Sequence, residues 1–88
     1  MQQINMIKIE KLMFNVTHGE IIHFASFTEK NTPIVIQIGW DYHIPYIEMR
    51  EDGICVAKIQ VGKSWAKRTR AKIYVDKQWI SDILFIRR

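Results

Sequence analysis

Residues 44–61 read Ile44-Pro45-Tyr46-Ile47-Glu48-Met49-Arg50-Glu51-Asp52-Gly53-Ile54-Cys55-Val56-Ala57-Lys58-Ile59-Gln60-Val61. Two runs rich in β-branched and aromatic residues flank Asp52-Gly53, and glycine accepts the positive φ that a tight turn demands. The stretch predicts a β-hairpin with strands over 44–50 and 54–61.

The same grammar extends outward. In Ile34-Val35-Ile36-Gln37-Ile38 the three isoleucines share one face. In Arg70-Ala71-Lys72-Ile73-Tyr74-Val75 the set Ala71, Ile73, Val75 opposes Arg70, Lys72, Tyr74. Sixteen Ile against two Leu favour strands, because β-branched side chains are stiff in helices and pack well on a pleated surface. Turn signals recur at short spacing: Thr17-His18-Gly19, residues 28–33, Gly39-Trp40-Asp41, Glu51-Asp52-Gly53 and Gly62-Lys63-Ser64.

Strands are expected near 6–16, 20–27, 33–39, 44–50, 54–61, 70–76 and 82–87. The fold class that follows is all-β and mainly antiparallel. It is a small six- to seven-stranded barrel or sandwich of OB-like or SH3-like build, with at most one or two short helical turns. Thr17-His18-Gly19 predicts a second hairpin. The apolar parity changes at Lys11, from Ile7 and Ile9 to Leu12, Phe14 and Val16, which predicts a bulge. Asp76 is suited to cap a helical turn over 76–82. Residues 2–13 alternate like a strand and are read so in preference to a helix.

At 88 residues the chain has room for one domain, 1–88, and its 48% hydrophobic and 25% charged content is that of a folded globule. Small domains bury a modest share of their surface, and open strand edges invite pairing, so a homodimer is expected. The single cysteine, Cys55, allows no intramolecular disulfide and reads as a buried small hydrophobe in a reducing compartment. Met1-Gln2-Gln3-Ile4-Asn5 lacks the basic start and apolar stretch of a signal peptide, and no apolar run is long enough to span a bilayer. The expectation is a cytoplasmic protein without membrane contact, for which the sequon Asn15-Val16-Thr17 carries no chemistry.

Charge is distributed unevenly. Residues 1–52 carry a net −3 and residues 53–88 a net +7. No Asp or Glu occurs over 53–75, where Lys58, Lys63, Lys67, Arg68, Arg70 and Lys72 fall, interleaved with Trp65 and Tyr74. Cations for phosphates beside rings for base stacking are the combination that nucleic-acid binders use. The expected contact set is Lys63, Lys67, Arg68, Arg70 and Lys72 for phosphate, with Trp65 and Tyr74 as stacking platforms, the densest part lying in a loop over 62–69. DNA and RNA are not distinguished. The alternative partner is an acidic protein surface, engaged by the same loop and an exposed strand edge. The plain alternative is a solvated basic face, with Trp65 or Tyr74 closing one end of the core.

Other chemistry is poorly supplied. Gly62-Lys63-Ser64 looks like the end of a phosphate-binding P-loop, but Ala57 stands where the motif needs its first glycine. His18, His23 and His43 match no ligand spacing, so no metal and no cofactor is expected. No nucleophile and base stand in a recognisable arrangement, and the expectation is a protein that is not an enzyme. Glu48, Glu51 and Asp52 cluster at the 44–61 hairpin, either decorating a turn or forming an acidic pole for head-to-tail assembly. Residues 71–80, Ala71-Lys72-Ile73-Tyr74-Val75-Asp76-Lys77-Gln78-Trp79-Ile80, are similar to the strand-then-turn segment of AbrB-type swapped-hairpin DNA-binding proteins. That family carries proline where this chain has Asp76, and no residue role is carried over.

Overall fold

The computed structural model describes residues 7–88, so Met6 and the amino-terminal residues read above lie outside the described residues. Among the described residues every regular element is a strand: β1 (Lys8–Ile9), β2 (Met13–Val16), β3 (Ile21–Phe27), β4 (Ile34–Ile38), β5 (Asp41–His43), β6 (Tyr46–Met49), β7 (Cys55–Gln60), β8 (Arg68–Val75) and β9 (Gln78–Arg87). They form two sheets, in the orders β1-β3-β7-β6 and β2-β9-β8-β4-β5. All pairings are antiparallel except β2 with β9.

Two chain segments belong to both sheets. β1 leads into β2 across residues 10–12, and β5 leads into β6 across Ile44-Pro45, so each continuous strand pairs in one sheet and then in the other. The pairings therefore run around a closed circuit of seven continuous strands, a flattened barrel with a bent strand at each side. Each expected strand corresponds to one of these seven, but β5 precedes the expected 44–50 and β9 begins at Gln78 and not at 82; nine short elements appear because two strands are cut at the sheet crossing. The parity change at Lys11 is such a crossing and not the expected bulge. Ile9 lies in the first sheet, Phe14 and Val16 face the core from the second, and the side chains must change phase between them.

Between the sheets lies one cluster that includes Phe14, Val16, Phe24, Ile36, Cys55, Ile73, Ile83 and Phe85. Alternation puts it there: β8 reads exposed Arg68, buried Thr69, exposed Arg70, buried Ala71, and continues in that phase to Val75. Thr69 is the buried polar residue, and its hydroxyl donates to the Ala66 carbonyl at 2.8 Å. Phe24 and Ala25 are both buried because β3 bulges against β7 between His23 and Ala25.

The hairpin over 44–61 forms as expected. Arg50 N–H donates to the Ile54 carbonyl, and Gly53, at φ 85°, makes the turn. Thr17-His18-Gly19 does not make a hairpin, since β2 and β3 lie in different sheets. Val16 and Ile22 must face the core from opposite sides, so the turn arches between the sheets, and Gly19 N–H donates to the Val61 carbonyl at 3.0 Å. The helical turn over 76–82 is also absent. Asp76 and Lys77 adopt positive φ values of 53° and 68°, the geometry of a two-residue hairpin turn, and β9 begins at once with Gln78.

Candidate nucleic-acid interface

The β8 alternation that buries Ala71, Ile73 and Val75 sends Arg68, Arg70, Lys72 and Tyr74 to the outer face of the five-stranded sheet. Register then fixes their neighbours. Lys72 stands between Gln37 of β4 and Asp82 of β9, with Tyr42 of β5 beyond Gln37. Tyr74 stands between Val35 and Trp79, because β9 bulges at Ile80 and brings Trp79 to the outer face. Arg70 and Arg68 face Leu84 and Ile86, with Met13 and Asn15 of β2 beyond.

This face is held together by its own polar contacts. Tyr74 Oη donates to Gln37 Oε1 at 2.8 Å, and Trp79 Nε1 donates to Asp82 Oδ1 at 2.7 Å. Lys72 Nζ lies 4.8 Å from the Trp79 ring centroid. Arg70 reaches Asp82 at 3.6 Å. Asp82 is the single carboxylate among these outer positions of β4, β8 and β9, and it offsets part of the charge of Arg70 and Lys72. Trp79 is 57% exposed and Tyr42 is 65% exposed, so both rings are available to a ligand.

Further cations gather at the end of the barrel where β8 begins. Lys63 and Lys67 lie in the 61–67 loop, Arg68 opens β8, and Arg87 and Arg88 close the chain beside them. Arg87 N–H donates to the Lys67 carbonyl at 2.8 Å, and Arg88 N–H to the Val16 carbonyl at 3.0 Å. Asp41 shares a cleft with Arg68 and Arg70, and the Glu20 carboxylate accepts from Thr17 N–H and hydroxyl. Lys63, Lys67 and Arg68 take part in no ion pair among the described residues.

Trp65 occupies a different place from the other members of the expected set. Its ring lies 5.2 Å from that of Phe85 and packs against the core cluster. A Cβ on Gly62 would stand 2.9 Å from the indole, so the glycine is required for the ring to lie flat on the loop. The part of Gly62-Lys63-Ser64 that resembles a P-loop is the floor under Trp65. The tryptophan thus closes the barrel end and fixes the basic loop above it.

Of the expected residues, the fold brings Arg68, Arg70, Lys72 and Tyr74 onto one face, with Lys63 and Lys67 at its end. Sequence reasoning missed Trp79, Tyr42, Asp82, Arg87 and Arg88. Trp79 was hidden by the helical reading of 76–82, although Asp76-Lys77 between an alternating strand and an apolar run was a turn signal. Among the described residues no three of His, Cys, Asp and Glu gather as a metal site, and no helix is long and apolar enough to cross a membrane. His43 is exposed on β5, His18 lies in the 17–20 turn, and His23 faces Glu10 at 3.6 Å. No protein-family model, curated protein or solved structure matches this chain.

Proposed function

We propose that the chain binds single-stranded nucleic acid, with the phosphates tracking Lys63, Lys67 and Arg68 and the bases lying on the outer face of the β8 sheet. The observation that carries this reading is the common face shared by Arg68, Arg70, Lys72, Tyr74 and Trp79. Cations alone suit any anion, whereas cations at phosphate distance from exposed rings on a rigid sheet suit a strand whose bases are unpaired. A duplex hides its base faces, and among the described residues no helix or ribbon protrudes from the face to enter a groove. The 61–67 loop is pinned by Trp65 and by the Thr69 hydroxyl, which lowers the ordering cost of binding through it.

The deciding experiment is binding of labelled single-stranded DNA, single-stranded RNA and duplex DNA across a salt series. Single strands should bind more tightly than duplex, with affinity falling steeply as salt rises. Replacing Lys63, Lys67 and Arg68 together by Glu should abolish binding while the circular dichroism spectrum is unchanged. Undetectable binding of every nucleic acid at low salt would transfer the basic end to an acidic protein partner.

A further inference from the structure

We propose that the open edge of β6 pairs antiparallel with β6 of a second copy about a twofold axis at Ile47, joining the two four-stranded sheets into one. The edge itself makes the case. β6 ends its sheet, and among the described residues no backbone hydrogen bond reaches its outer side. Sheet edges are usually protected by lysine, by inward charge or by a bulge. β6 has one charged residue, Glu48, and that is already paired with Lys58 of β7. Its register with β7 runs without interruption from Tyr46↔Lys58 to Met49↔Cys55.

The ladder decides which groups are free. Arg50 N–H bonds the Ile54 carbonyl, and antiparallel bonding alternates, so Glu48 and Tyr46 also turn their backbone groups toward β7. Ile47 and Met49 therefore present theirs to the open side. An Ile47-to-Ile47 pair at the axis uses both backbone groups of each Ile47 and sets Met49 opposite Pro45 of the other copy, which uses the Met49 N–H but not its carbonyl. That proline lacks an N–H but still offers its carbonyl. Shifting the axis to Glu48 would instead oppose two carboxylates, which like-charge repulsion disfavours.

Side chains and charge agree with this register. Ile47 and Met49 have core-facing parity, opposite the buried Ala57 and Cys55, yet remain 43% and 53% exposed. The axis at Ile47 brings both copies' exposed pairs together. It also carries the acidic 51–53 turn of each copy to the start of β6 in the other, where Lys63 lines a cleft with His43, Ile44 and Tyr46. Asp52 is partnered by Arg50 at 2.8 Å, which leaves Glu51 to face Lys63 of the second copy. Apart from Lys63, which both readings use, this surface is separate from the proposed nucleic-acid face, which belongs to the other sheet.

Sedimentation velocity from micromolar to hundreds of micromolar tests the proposal. The parent should show a concentration-dependent species of twice the 10.5 kDa chain mass. Ile47→Lys should raise the dimer dissociation constant by about a hundredfold or more, because two ammonium groups would meet at the axis. Glu51→Lys should weaken the dimer by about tenfold, and adding Lys63→Glu should restore it. Circular dichroism and single-strand binding by Ile47→Lys confirm a folded chain and read the nucleic-acid face separately. A parent that stays at 10.5 kDa throughout, or a dimer indifferent to Ile47→Lys, overturns the proposal.

Discussion

Lys72 holds its ammonium 4.8 Å from the ring centroid of Trp79, so the most exposed ring of the β8–β9 hairpin carries a resident cation. An exposed cation–π contact is worth about 0.5–1 kcal/mol, whereas base stacking on an aromatic side chain is worth about 1–3 kcal/mol. On the proposed reading, an arriving base displaces the ammonium and frees it for a phosphate. In the unbound protein the same contact shields part of an apolar ring from water.

Trp79→Ala should accordingly weaken single-strand binding by about 1–3 kcal/mol. Melting should fall by less than about 1 kcal/mol in stability, since the ring is 57% exposed. Fluorescence anisotropy and a thermal melt measure both quantities on one preparation. A large drop in melting with unchanged binding would make Trp79 a packing residue of the hairpin.

Asp82 accepts from Trp79 Nε1 and lies 3.6 Å from Arg70, so on the proposed reading it competes with phosphate for that guanidinium. Asp82→Asn keeps a side-chain acceptor for the indole while removing the charge. The variant should bind single strands more tightly than the parent. Its slope of log affinity against log salt should steepen by about 0.7, the increment expected for one additional phosphate contact on a single strand. A weaker-binding Asp82→Asn protein would mean that the carboxylate itself contacts the bases.

Much of this architecture could be read from spacing, because the decisive signals are local. The alternation in 70–75 located both a buried and an outer face, and Asp52-Gly53 located a hairpin that forms with Gly53 at φ 85°. What failed was non-local. Nothing near Lys11 or Thr17 says whether the next strand joins the same sheet or the opposite one, since both choices bury the same apolar phase. The helical reading of 76–82 shortened the expected last strand to 82–87, whereas β9 begins at Gln78. Trp79 was invisible for a related reason, because only the bulge at Ile80 rotates it to the outer face. The basic segment was legible as charge, yet the separation of Trp65 from Tyr74 depends on Phe85, twenty residues after Trp65.

Gly62 and Trp65 should behave as a structural pair. Trp65→Ala removes a ring packed on Phe85 and should cost about 2–4 kcal/mol, below the range for a fully buried tryptophan because the side chain is only partly covered. Gly62→Ala should also destabilise, since its methyl group meets the indole at 2.9 Å. The two changes together should cost less than the sum of the single effects, because the methyl clash vanishes once the ring is gone. Urea denaturation of the four proteins completes this cycle. Strict additivity would place the Trp65 ring away from Gly62 in solution.

The ion pair between Lys58 and Glu48 makes a prediction about pH on the edge strand. The hydrogen bond from Lys58 lowers the Glu48 pKa, with the lysine charge adding to the effect. A carboxylate whose folded pKa is depressed stabilises the fold above its unfolded pKa, and that contribution is lost as pH falls through the folded value. Glu48 should therefore titrate below the ordinary glutamate range in a side-chain NMR series, and Lys58→Met should move its midpoint back up toward that range. Acidification should also loosen β6 before the core, since protonated Glu48 releases Lys58 at an edge strand whose side chains are all exposed. Amide exchange at Tyr46 and Glu48, whose N–H groups face β7, measures this below the Glu48 midpoint against Ile73, which should stay protected. A Glu48 midpoint unchanged by Lys58→Met would show that the Lys58 contact is not populated in solution.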